Sequence, residues 1–289
     1  MKHENRALLI KRVFLCILFL NWFVSLAKLI FGYKIKSNSM VADGFHSLSD
    51  GASNIIGLFG IWFASRPKDE SHPYGHKKYE TFASIGIAFL LFLVSIGIIH
   101  ESMGRFNNPV AMGSTFLGLV VIFITLGINI SVMLYEYRLG RKLNSDILIA
   151  DSMHTRADIL TSCSVIFALI AVKLGWYALD PIIAMFIAVF ILYSAFEIIK
   201  DSSLVLCDRA VLDSKKIESL VMAIEGVRSV HKIRTRGRCD DIHVDLHVLV
   251  NKDTRMDAAH KLSGIIEEEI EKNVEGVSDV VVHMEPYDT

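Results

Sequence analysis

Apolar residues gather along this chain into six runs, near positions 13–33, 39–64, 82–100, 114–135, 147–174 and 178–199, divided by short polar stretches. A helix rises about 1.5 Å per residue, so each run is long enough to cross the roughly 30 Å hydrocarbon core of a bilayer. The pattern predicts an α-helical transmembrane domain of six spans over 1–207. The rhythm then changes. Residues 213–225 carry apolar positions at helical spacing, 229–236 and 241–250 alternate as strands do, 257–272 reads as a charged amphipathic helix, and 279–284 as a strand. That αββαβ order predicts a small α+β, ferredoxin-like domain over 208–289, with its helices on one face of the sheet.

Composition points the same way: the chain is 52% hydrophobic, against about 45–50% for a soluble domain, so part of its apolar surface is expected never to meet water. A formal net charge of -1 and the lack of a basic stripe set nucleic-acid binding aside. Basic residues accumulate on the cytoplasmic side of membrane proteins. Here Lys2, Arg6, Lys11 and Arg12 precede the first run, Arg66, Lys68, Lys77 and Lys78 follow the second, and Arg138, Arg141 and Lys142 follow the fourth. The alternate loops hold only Lys34, Lys36, Arg105 and Lys173, so both termini are predicted to be cytoplasmic. The first run is too long for a signal peptide and five more follow it. Cys16, Cys163, Cys207 and Cys239 are widely spaced with no C-x-x-C pair, and they read as buried thiols rather than disulfides or metal ligands.

Two of the apolar runs carry charge. The second contains Asp43-Gly-Phe-His46-Ser-Leu-Ser-Asp50 and the fifth Asp151-Ser-Met-His154-Thr-Arg-Ala-Asp158. On a helix, positions i, i+3 and i+7 share a face. An ionisable group at the centre of a membrane helix costs about 2.5–3.5 kcal/mol even on lenient scales, so something must compensate. A divalent cation does so: two carboxylates cancel its charge, and two neutral imidazoles complete a nitrogen and oxygen shell suited to tetrahedral zinc. The two runs cross in opposite directions, which lets His46, Asp50, His154 and Asp158 meet near the midplane. Asp43 and Asp151 read equally well as auxiliary ligands or as outer hydrogen-bond partners.

With these motifs, the loop Asp69-Glu-Ser-His72-Pro-Tyr-Gly-His76 and the ending Val282-His283-Met-Glu285-Pro286, the chain resembles the cation diffusion facilitator family along nearly its whole length. The resemblance implies proton-coupled efflux of a divalent metal from the cytoplasm by a homodimer working through alternating access, in the inner or plasma membrane of a prokaryote. A His at position 46 favours zinc, with cadmium, cobalt, ferrous iron and manganese as alternatives. It also implies a peripheral site at Asp69, His72 and His76, and a cytoplasmic cluster at His231, His247, His283 and Glu285, with His260 placed to bridge two ions. The family usually has Asp where this chain has Glu285. Lys78 and Asp208 match a family ion pair near the membrane surface. No organic cofactor is implied.

Plainer readings stand beside these. Pro73 and Gly75 argue that residues 69–76 form a loop, whose Tyr74 and lysines would suit lipid headgroups as well as a metal. His243, Asp245 and His247 alternate along a strand and so share a face, with Val244, Leu246 and Val248 turned to the core, as on any solvated sheet. A membrane zinc hydrolase would also place His and Asp in apolar helices, but no H-E-x-x-H helix is present, since no His follows His100-Glu101 at the needed spacing. A metal sensor anchored by inert spans has no use for two costly charged stripes. An enzyme is therefore not expected.

Overall fold

The computed structural model describes residues 2–34, 38–107, 116–173 and 179–287; the side chains of Asp43, His46 and Asp50, among others, fall outside the described residues. The chain forms two compact units, Met1–Ser202 and Ser203–Thr289.

The long helices are α1 (Lys2–Lys34), α2 (Asn38–Ala64), α3 (Lys78–Asn107), α4 (Phe116–Leu143), α5 (Asp146–Lys173) and α6 (Leu179–Leu206). Among the described residues, Arg6–Ala27, Lys78–Gly104 and Ile182–Leu206 are long and apolar enough to cross a membrane, and Gly51–Ala64 is a shorter apolar helix. Charged Asp151, Arg156 and Asp158 interrupt α5.

Ile10, Phe14 and Ile17 of α1 bury against Ile61 of α2, Ile87 of α3, and Ile147 and Leu148 of α5. Small residues let these helices approach. A Cβ on Gly57 would collide with the Phe14 ring, and one on Gly60 with Ala83 and Ile147. On α3, Ser84, Ser95 and Ser102 turn their hydroxyls back onto the carbonyls four residues earlier, which satisfies them in an apolar setting.

The other faces are apolar and uncovered: Phe19 and Phe23 on α1, Phe89 and Ile96 on α3, and Phe186, Val189 and Phe196 on α6 are all exposed. Hydrocarbon is the solvent such a surface fits. This corrects one expectation. Cys16, Cys207 and Cys239 are exposed and Cys163 only partly covered: Cys16 lies on a face of α1 turned out of the helix bundle, Cys207 just past the end of α6, and Cys239 in the turn between the first two strands of the second unit.

The starts of α1 and α3 and the α4–α5 turn are tied by a buried cluster. Arg6 reaches Glu80 with both terminal nitrogens, at 3.1 and 3.2 Å, and donates from Nε to the Leu143 carbonyl at 2.7 Å. Ser145 donates a short hydrogen bond to the same carboxylate.

In the second unit, α7 (Ser214–Met222) is followed by β1 (Val227–Arg238), β2 (Asp241–Asn251), α8 (Met256–Asn273) and β3 (Val277–Tyr287). Asp213 caps α7 by accepting from the Lys215 amide. β2 is central, antiparallel to β1 and parallel to β3. Ile242, Val244, Leu246, Val248 and Val250 turn to one face and pack with Ile217 and Val221 of α7 and Ile266 and Ile270 of α8. The alternate residues of β2 are left on the face opposite the helices.

Candidate metal centres

The α5 stripe is buried at its centre. Asp151 is 1% and His154 5% exposed, and Asp158 follows one turn on. Neither ring nitrogen of His154 has a hydrogen-bond partner, nor has Oδ1 of Asp151. Every state of an imidazole has polar valences at both nitrogens, and leaving them empty in an apolar setting costs about 1–3 kcal/mol apiece. Asp151 is held from α2, for Asn54 donates to its Oδ2 at 2.7 Å and itself accepts from Asn21 of α1 at 3.0 Å. Of the six residues in the paired motifs, the three on α2 lie outside the described side chains, so the α5 half alone is seen.

The α2–α3 connection brings Asp69, His72 and His76 together, with one ligand atom of each within 4.8 Å of the others. Asp69 is the hinge of the group. Its Oδ1 accepts from the His72 amide at 2.6 Å and from the Ser71 hydroxyl at 2.8 Å, while its Oδ2 lies 3.3 Å from Nε2 of His76. The Ser71 hydrogen bond, followed by those of His72, holds the Asp69 carboxyl down from 3.8 to about 2. Gly75 permits the turn at φ 90°. The two imidazoles lie 4.2 Å apart, and Tyr79 stacks against His76. His76 is buried with its Nδ1 unpartnered, whereas His72 is half exposed.

On the open face of the sheet, His231, His247 and His283 stand opposite one another on β1, β2 and β3. One row of the ladder therefore carries three imidazoles, with ring centroids 5.3 and 4.6 Å apart. Glu285, two residues along β3, lies 2.7 Å from Nδ1 of His247 and 3.2 Å from Nε2 of His231. The His247 hydrogen bond is the main reason its carboxyl is held below the ordinary glutamate range. His231, His247 and Glu285 have ligand atoms within 4.8 Å of one another. His283 flanks them, its Nε2 3.6 Å from Glu285. His260 is not gathered in: it stands exposed on α8, which covers the other side of the sheet. Four residues back along β2, His243 faces Asp279 at 3.4 Å. Lys78 opens α3 in the first unit and Asp208 follows α6 in the second.

Asn21, Asn54 and Glu136 belong to the polar interior and were not singled out by spacing. The signal was faint: Asn54 lies four residues after Asp50, and Glu136 closes an apolar run.

The chain matches two family models, the cation efflux transmembrane domain over residues 14–207 and the cation efflux protein cytoplasmic domain over 212–287. It is 33% identical to the uncharacterised transporter MJ0449 of Methanocaldococcus jannaschii, over 93% of this chain and 95% of that one. It is 28% identical to the cation-efflux pump FieF of Klebsiella pneumoniae, over 86% and 84%. Identity to the manganese efflux system protein MneS of Bacillus subtilis is also 28%, over 91% of each chain.

Proposed function

This chain belongs to the cation efflux family, and on that premise we propose that it exports a divalent transition metal, zinc by preference, in exchange for protons. It is an integral membrane transporter of metal cations and not an enzyme, which removes the hydrolase reading. The observation that carries the finer proposal is His154: a buried imidazole with both nitrogens unpartnered, between two carboxylates on one face of α5.

In the proposed cycle, six spans place both termini in the cytoplasm. A cytoplasm-open state binds metal on neutral His46 and His154 and charged Asp50 and Asp158. Metal binding requires unprotonated ligands, and imidazole titrates near neutral pH, so protons arriving from the more acidic side compete the ion away. Asp151, held by Asn54 through one oxygen, stands one turn before His154 on the α5 stripe. Two imidazoles in the ligand set favour zinc over manganese, which prefers oxygen donors.

The loop triad and the sheet cluster are proposed as two further metal sites. The sheet sits in the soluble domain through which we propose the chain forms a homodimer. Cytoplasmic metal bound there biases the dimer towards whichever arrangement binds it better.

The test is zinc flux into proteoliposomes against an imposed pH gradient. Asp50→Ala and Asp158→Ala should each abolish flux while the protein still elutes as a folded species. Normal transport by both would refute the assigned site, and flux indifferent to the gradient would refute antiport. Competition by manganese, iron, cobalt and cadmium ranks the cargo.

A further inference from the structure

α4 contributes a residue that no spacing motif picks out. Glu136 is completely buried. Its Oε2 accepts from the Thr155 hydroxyl of α5 at 3.1 Å, and its Oε1 has no partner. The same hydroxyl lies 3.2 Å from the Asp151 carbonyl, and Thr155 and Asp151 share a face of α5, so the Glu136 carboxyl stands beside that of Asp151. Asp151 in turn keeps one oxygen empty, and one turn further His154 leaves both nitrogens empty. Two buried carboxylates side by side, each with an unused oxygen, repel one another and waste their hydrogen-bonding capacity. One cation shared between them removes both costs.

We propose that Glu136 and Asp151 form a cation way station between α4 and α5, where a divalent metal ion pauses one helical turn before the transport ligands. This rests on the transporter reading above. Asp151 lies five residues into α5, His154 eight and Asp158 twelve, or about 8, 12 and 18 Å from its start. The pair thus lies nearer than His154 and Asp158 to the α4–α5 turn, whose Arg138, Arg141 and Lys142 mark it as the cytoplasmic side. Its donors are two carboxylates and the Thr155 hydroxyl, with no thiolate. Such an oxygen set suits a partly hydrated ion in transit, whereas the imidazoles beyond it offer the stronger ligands for zinc.

Full-length protein in proteoliposomes tests this, with zinc alone as the probe. Glu136→Gln should raise the zinc KM on the order of tenfold or more, and Glu136→Asp should recover part of the loss. In wild-type protein, zinc should protect Glu136 from a hydrophobic carbodiimide, read by mass spectrometry of the labelled peptide. This second measurement does not depend on a variant folding. Unchanged KM in E136Q, or equal labelling with and without zinc, would overturn the way station. So would a shift of the pH profile at constant KM, which would mean that the pair holds a proton instead. Asp158→Ala separates the two levels: if it transports normally, the transport reading itself fails, whereas its loss of flux beside an unaffected E136Q condemns the way station alone.

Discussion

Asn54 of α2 points its amide nitrogen at Oδ2 of Asp151 on α5, 2.7 Å away and shielded from solvent. The same Asn54 is fixed in orientation by Asn21, whose amide occupies its oxygen. A motif residue on one helix is therefore aimed by two amides from others.

Replacing Asn54 by Ala strips Asp151 of that donor and leaves Asn21 without its acceptor. A loss of about 1–3 kcal/mol of stability is expected. Thermal unfolding of the detergent-solubilised protein measures it, and zinc flux should fall alongside as the α5 stripe loses its alignment.

The Arg6–Glu80 pair joins the start of α1 to that of α3 with both side chains largely covered. Arg6→Ala removes the cation from a buried carboxylate, at a cost of about 3–5 kcal/mol. The double change Arg6→Met with Glu80→Gln should regain most of it. A double-mutant cycle on unfolding temperature gives the coupling, and additive single effects would show that the contact is idle.

Asp69 has a folded pKa of about 2 against an ordinary 3.8. Since the folded value is the lower, its contacts stabilise the charged form: their contribution is complete above 3.8 and is lost as the pH falls towards 2. Ser71→Ala removes the largest cause. The Asp69 titration midpoint, followed by its carboxyl carbon resonance, should then move up towards the ordinary value.

Metal bound only by the folded sheet should raise its melting temperature, by an amount equivalent to about 2.7 kcal/mol at a hundred times the dissociation constant. Chelation should reverse the gain, and His247→Ala should abolish it, because His247 is the central imidazole of the row. Calorimetry of the full chain with and without zinc reads the difference. An unchanged response in H247A would remove the sheet from the metal-binding surfaces.

The α5 stripe was legible because a helix repeats its face every three or four residues, so spacing alone aligned Asp151, His154 and Asp158. The alternation of β2 likewise placed His247 opposite the core-facing Val248. Cross-strand register was harder to read. Nothing local to His231 or His283 says that the ladder sets them opposite His247, and a bulge between His231 and Arg234, where Lys232 adopts φ 50°, intervenes. Glu136 and Asn54 were missed for a related reason: a single polar residue in an apolar run has no period, and only the approach of α4 and α2 to α5 gives it a neighbour. The exposed thiol of Cys16 shows the opposite failure, since hydrophobicity alone does not distinguish lipid from protein as the surrounding medium.

The parallel pairing of β3 with β2 makes the sheet cluster a matter of parity. Deleting one residue from the turn that leads out of α8 would leave each strand hydrogen-bonded but roll β3 over by half a pleat. His283 and Glu285 would then face the helices, while Val282 and Met284 would lie beside His247. Length variation in that turn is thus tolerable only in steps of two, a constraint on related chains that no substitution at the ligands themselves would reveal.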